Sequence, residues 1–481
     1  MNSRFLSGES IDLEGTEEAT RLNHRISNRF TAIKSRAGRV ALALLPSPLN
    51  QWTSRDRESA SRGKTAYLDG IRGIGALMVF IQHFVAPFQP AIVGDRSREI
   101  NSWFAFQYPV IRLFYSGGSF AVALFFVLSG FALSRKPLVL KKTVDTDYGL
   151  IESEISSAIF RRGIRLFLPA ISIVLVMTMG ACIGAYEEMV PGLPVDRFDL
   201  RSPKRLSSIL DQISDASYFV LSQLFYPSQW LHRVVGIATG TYGFHLWTIS
   251  IEFWASQLLF LCLLASIRYG KLVRVNIMSL LACYSIWCFR WEIALFLIGA
   301  MICDFDLSES QKSSKPILAE RAILQIVPWL CCFFGLWIGS MPDFNGEVTP
   351  GFRFLWAIVP WEPLWHSIGA VLVIWSITRS QVLQVAFNLQ VVQYLGKISF
   401  SMYLVHVPIV SSFGWWSDYS LLTVIDPQSQ AAYQALVWTS GVVYLAFVIW
   451  IADIFWRFVD GPSIRLAKYW ETRLQGDEAI F

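Results

Sequence analysis

Tyr67 to Phe84, YLDGIRGIGALMVFIQHF, consists mainly of apolar and small residues and carries two ionisable side chains of note, Arg72 and His83. An ionisable group held within hydrocarbon is costly, so its presence there is a functional hypothesis by default. Eleven residues at roughly 100° each return the two side chains to nearly the same helix face, about three turns or ~16 Å apart. One face thus presents a cation near one membrane surface and an imidazole deep in the core. Each residue also has a plainer account: an arginine at a helix end snorkels to headgroups, and a lone histidine hydrogen-bonds a neighbour.

The composition agrees with a membrane setting. The chain has 481 residues, of which 53% are hydrophobic and 16% charged, with 19 Trp and a mean hydropathy of +0.43. That is the profile of a multi-span membrane protein. A net charge of +5 is too small and too dispersed for a nucleic-acid partner. The Lys and Arg collect instead between apolar runs, where lipid headgroups or an anionic cofactor are the natural partners. Seven Cys fall almost entirely in apolar runs, without metal-ligand or disulfide-framework spacing, and read as small core residues; no metal site is expected.

Residues 1–66 read as a flexible basic cytosolic arm, because the run Val40 to Pro46 is too short to span a bilayer. Beyond it, ten spans are expected, near 70–92, 112–134, 163–185, 243–266, 275–290, 291–305, 322–340, 362–379, 396–416 and 432–456. The fifth and sixth are short and flank Arg290 and Glu292, so the count is good to about two. The fold class is therefore all-α, a polytopic helix bundle over 67–459, followed by a cytosolic tail, 460–481. Basic connections after the second, fourth, sixth and tenth spans fall on the side of the N-terminal arm, which makes both termini cytosolic. The loop from Tyr186 to Gly240, with its turn at Val190 to Pro194 and the run YFVLSQLFYPSQWL, reads as an ordered lid with an interfacial or re-entrant element.

Three more runs carry chemistry. In IFRRGIRLFLP, Arg161 and Arg165 lie one turn apart at the cytosolic mouth of the third span, with Arg162 beside them. Guanidiniums there, together with Arg72, make a receptor for phosphate oxygens; positive-inside anchoring is the alternative and is the better account of Arg162 alone. In FHLWTISIEFW, Glu252 stands about 14 Å into the fourth span, within a turn or two of the depth of His83. It either orients that imidazole or pairs with an arginine to hold the bundle. In ISFSMYLVHVP, His406 precedes Pro408, whose ring frees carbonyls nearby. His406, Tyr403 and Ser129 are candidate cavity-lining residues, whereas His245 and His366 read as interfacial.

These runs, with FFVLSGFALSRK, occur in the order seen in a known family. The chain resembles the acyltransferase-3 type of integral-membrane acyltransferases, which move acyl groups from coenzyme A thioesters to hydroxyls, over roughly Tyr67 to Val459. The resemblance implies a ten-helix core with cytosolic termini and an activity-bearing pair at Arg72 and His83. It places the third-span arginine motif on Arg161 and Arg165 and the fourth-span carboxylate on Glu252. A departure is Ala123, where many relatives carry a polar or acidic residue. No appended soluble hydrolase-like domain is expected.

Residues and resemblance together lead to an acyl-CoA, acetyl-CoA above all, with phosphates at Arg72, Arg161 and Arg165. His83 acts as general base on an acceptor hydroxyl, and Arg72 and Glu252 complete the catalytic set. Ser129 and Ser250 sit in no nucleophile-elbow pattern, so direct transfer is simpler than a covalent acyl-enzyme. A small lipophilic metabolite fits a compact intramembrane site as acceptor, with a cell-surface or secretory-pathway glycan as the alternative. A proton-coupled transporter would use the same buried charges, and a scaffold would leave them idle.

Overall fold

The structure is a computed structural model that describes residues 46–47, 63, 65–88, 108–143, 147–186, 202–225, 241–309 and 318–476. The basic arm before residue 63 therefore lies almost wholly outside the described residues, as does the turn at Val190 to Pro194. The principal helices are α1 (Ala66–Val85), α2 (Gly118–Thr143), α3 (Tyr148–Cys182), α4 (Ile209–Phe219), α5 (Trp247–Ser266), α6 (Lys271–Trp287), α7 (Trp291–Glu309), α8 (Leu318–Gly339), α9 (Glu362–Arg379), α10 (Gln390–Ile409), α11 (Gln430–Phe455) and α12 (Gly461–Gly476). No strand occurs among the described residues. A bilayer favours this, because a helix satisfies its own backbone polar groups where no water can.

Each of the ten expected spans falls on a helix, but not every one of these helices has the length and composition of a crossing helix. By length and composition six qualify among the described residues, and seven if α9 and Gln381–Phe387, bent by 105°, form one broken span. The shortfall has physical causes. Helix α6 has 17 residues, and α7 carries Glu292, Asp304, Asp306 and Glu309. The apolar part of α8 runs only from Ile326 to Gly339. Large apolar side chains such as Leu280, Trp287, Val424 and Val442 are exposed on the outside, which suits a surface solvated by lipid.

Small residues set how closely the central helices approach, as they do where lipid removes any hydrophobic drive between helices. A Cβ on Gly73 would come within 2.5 Å of the Gly396 backbone nitrogen, and one on Gly396 within 2.3 Å of the Asp69 carbonyl oxygen. Helices α1 and α10 therefore lie backbone to backbone and run parallel. Gly73 stands level with Gly396, and His83 is level with His406 ten residues further along each helix.

Outside the bundle core, α4 is capped by Ser208, whose hydroxyl accepts from the Asp211 amide at 3.1 Å. The helix turns Ile209, Leu210, Ile213 and Tyr218 outward. Its buried Gln212 donates to the Tyr242 hydroxyl at 2.7 Å, tying the helix to the chain that enters α5. At the other end, α12 continues from α11 and packs along α3, where Glu471 meets Arg161 at 3.3 Å. Residues 461–476 thus form part of the bundle wall, which was not legible in their composition.

Candidate active site

A cavity of about 430 Å³ lies between α1, α2, α3, α5 and α10, closed on one side by the chain entering α12. Four cations line it, Arg72, Arg162, Arg165 and Lys397, against three carboxylates, Asp69, Glu252 and Asp460. Arg72 pairs with Asp69 one turn away at 3.0 Å, with side-chain exposures of 30% and 56%. Such a solvated pair contributes at most about 1 kcal/mol, so the Arg72 fork is easily redirected to an incoming anion. Lys397 sits 4.0 Å from the centre of the Trp456 ring, which holds the ammonium at the wall without neutralising it.

Arg162 is bound differently. It is 8% exposed, its Nη2 donates to the Glu252 carboxylate, and its Nε donates to Ser256 at 3.3 Å. Glu252 also accepts from the Ser129 hydroxyl at 2.6 Å. Removing one partner of a buried pair typically costs about 3–5 kcal/mol, because the other charge is left uncompensated. The carboxylate at Glu252 thus meets a guanidinium from α3 rather than the imidazole of His83.

Among the arginines of α3, the cavity takes Arg162 and Arg165 and not Arg161. Around the helix Arg165 lies between the other two, 40° from one and 60° from the other, so either pairing was open to the sequence. Neighbouring helices decide it. Glu252 waits on the Arg162 side, while Glu471 at 3.3 Å and Glu154 at 3.8 Å hold Arg161 outside the cavity. Arg162, expected as a positive-inside anchor, is thus buried in the cavity wall, and Arg161, expected beside Arg165 as a phosphate ligand, lies outside that lining.

His83 does not line this cavity. The inner end is made by Thr248, Phe125 and Tyr403, and the histidine lies behind them. Phe125 fills the slot beside Gly75, where a Cβ would come within 2.9 Å of its ring, and it meets Tyr403 edge-on at 6.5 Å. The Tyr403 hydroxyl is 2.6 Å from that of Thr248. Just beyond, His83 Nδ1 is 2.8 Å from His406 Nε2, the two rings nearly parallel with centroids 5.1 Å apart. His245 stands 5.1 Å from the His406 ring and 5.3 Å from Tyr403.

Of the expected cavity-lining residues, Tyr403 and Ser129 line the wall, and His406 stands behind it beside His83. His245 and His366, expected at an interface, are both buried. His245 Nε2 lies 3.2 Å from the Leu404 carbonyl, and His366 Nε2 lies 2.7 Å from that of Met341. A signal for His245 was present in the sequence: Pro408 has no N–H, so the carbonyl four residues earlier, that of Leu404, needs another donor. Lys397 and Thr248 had no comparable signal, because an isolated lysine or threonine at a span end has many uses.

The geometry is that of a helical bundle with arginines, one of them buried, around a cavity between apolar helices. The chain belongs to the acyltransferase-3 family, whose acyltransferase domain matches residues 65–457. Among curated proteins it is similar to O-acetyltransferase PaAT-1 of Phomopsis amygdali, 29% identical over 454 residues that cover 88% of each chain. It is also similar to acyltransferase R4 of a Phoma species, 28% identical over 73% of this chain and 83% of the relative. Acyltransferase clz18 of Cochliobolus lunatus is 26% identical over 84% and 94%. No solved structure matches the chain. The protein is an acyltransferase of a membrane-associated, all-helical kind.

Proposed function

We propose that the protein transfers an acyl group, acetyl above all, from acyl-CoA to a hydroxyl of a small lipophilic molecule. The observation that carries this reading is the convergence of Arg72, Arg162 and Arg165 on one cavity whose inner end abuts the His83–His406 pair. Phosphate oxygens suit guanidinium forks, and Arg72, Arg165 and Lys397 are the cations with least local compensation. Arg162, held by Glu252 and Ser256, shapes the wall and adds positive potential. The gathering of Lys and Arg in the connections on the side of the N-terminal arm supports a cytosolic mouth, with both termini on that side and 67–459 as the membrane domain.

In this reading the acyl-pantetheine arm runs inward along α1 toward His83. Phe125 and Tyr403 stand in its path, so their rings swing aside when the thioester arrives. The acceptor hydroxyl gives its proton to the His83 imidazole as its oxygen attacks the thioester carbonyl carbon. The C–S bond then breaks, and the departing thiolate takes the proton back from the imidazolium, leaving ester and free CoA. Glu252 acts by fixing Arg162 and Ser129 rather than by touching the base. The acceptor class follows from the compact, largely apolar site and from the O-acetyltransferase named among the relatives.

Membranes containing the protein, given acetyl-CoA and an extract of hydroxylated lipophiles, are expected to release thiol and to form products heavier by one acetyl group. Membranes with His83→Ala should do neither. Full thiol release in that variant, or none in the parent with any hydroxyl acceptor, overturns the assignment.

A further inference from the structure

Three histidines meet behind the cavity, His245 and His406 buried and His83 half-buried, and only one of them has been given work. Their hydrogen bonds determine which nitrogen of each ring carries a proton, because a carbonyl oxygen can only accept. His406 Nδ1 lies 3.2 Å from the carbonyl of Met402, one turn back on its own helix. That nitrogen must therefore be the N–H donor, and in a neutral ring His406 Nε2 is left with a lone pair. The atom facing that lone pair, at 2.8 Å, is His83 Nδ1. It must be the donor in its turn, so the proton of the neutral His83 sits on Nδ1 and the lone pair on Nε2.

We infer that His406 is a positioning residue that locks His83 in the Nδ1–H tautomer and so leaves His83 Nε2 as the atom that accepts the hydroxyl proton. The inference rests on the reading of His83 as general base and adds to it the atom and the device that orients it. The direction of the bond matters chemically. When His83 Nε2 takes the proton, the imidazolium still donates from Nδ1 to the His406 lone pair, so the bond strengthens as charge develops. His406 thus does for His83 what a carboxylate does in hydrolytic triads, but with a neutral acceptor. A neutral ring needs no ion partner in a low-dielectric interior, whereas a buried carboxylate would.

The third ring braces the second. Pro408 cannot donate to the Leu404 carbonyl, and His245 Nε2 supplies the missing donor at 3.2 Å. His245 is thereby also fixed in one tautomer, edge-on to His406. The stretch of α10 that carries His406 is held from α5, across the same gap that Thr248 and Tyr403 close.

Two polar replacements separate positioning from packing. In His406→Gln the longer amide brings its oxygen to the place of Nε2 and can accept from His83 Nδ1–H. In His406→Asn the shorter amide reaches only the level of Nδ1, keeping a donor for Met402 but none of the contact with His83. Both are assayed in purified, detergent-solubilised full-length protein with acetyl-CoA and the acceptor found active for the parent, alongside thermal stability. The Gln variant is expected to retain kcat within about tenfold, and the Asn variant to lose at least about 100-fold. KM for acetyl-CoA should be unchanged in both, since the arginine-lined cavity is untouched. Equal kcat in the two variants, whether both active or both dead at parental stability, overturns the lock while leaving His83 as base. Should one variant fail to fold, His406→Leu replaces it, with an expected loss as large as that of Asn, and parental kcat there overturns the lock. Activity in His83→Ala removes the base and the lock together.

Discussion

The two ends of α1 treat an ionisable side chain in opposite ways. Near its start, Arg72 opens onto a cavity shared with Arg162, Arg165 and Lys397, and is only loosely held by Asp69. Near its end, His83 meets no carboxylate among the described residues; it faces the imidazole of His406 and the ring of Phe244 at 5.0 Å. One end has the makings of a receptor for a charged ligand and the other those of a neutral proton relay. The pair Phe125 and Tyr403 separates them. The difference teaches that depth alone does not define a site: cations can serve where carboxylates keep them soluble in the protein, and a base works best where no fixed charge biases it.

The largest expected effect breaks the comparison at the relay. His83→Ala should lower kcat by about 10²–10⁴, the usual contribution of a general base, with an unchanged melting temperature in detergent. A loss of donor binding instead would show that the two ends are one site. The next effect separates a buried ion pair of the cavity from one outside it. Glu252→Ala should destabilise by about 3–5 kcal/mol and impair transfer. Arg274→Ala, which opens the more deeply buried pair with Asp304 between α6 and α7, should cost at least as much stability while KM for acetyl-CoA stays put.

Smaller effects sharpen the receptor end. Arg72→Ala should raise KM for acetyl-CoA by about tenfold or more, from the loss of a hydrogen bond to a charged group worth about 1.5–3 kcal/mol, with kcat less affected. Arg161→Ala should change KM less than about twofold, because that guanidinium is engaged by Glu471 and Glu154 away from the cavity. A larger change at Arg161 than at Arg162 would reverse the assignment of the α3 arginines. Rates and stability are to be read on the same preparations.

Much of the architecture was legible in advance, since apolar length is written in the chain and a bilayer leaves the backbone few choices. The placement of Arg72 and His83 on one face followed from helical periodicity and nothing else. The partners of those residues did not. Glu252 had two candidate partners, and its true one depends on how α3 and α5 rotate against each other. The expected count of ten and the six or seven helices that qualify by length and composition differ where charges such as Asp304 and Asp306 lie in a short helix, because apolar character alone does not say whether such a helix crosses or only packs. The role of 461–476 as a helix along α3 was hidden, its composition being that of an ordinary polar tail.

By itself, the order of residues determined an all-helical bundle, the family, and the depth relation between one arginine and one histidine, all consequences of local periodicity and hydrophobicity. The choice of Arg162 over Arg161 was made only by tertiary packing, as were the withdrawal of His83 behind Phe125 and Tyr403 and the meeting of three imidazoles. Each depends on which face of one helix finds which face of another. Residues far apart in the chain set that relation, through small-residue contacts such as Gly73 on Gly396, and no periodicity records it.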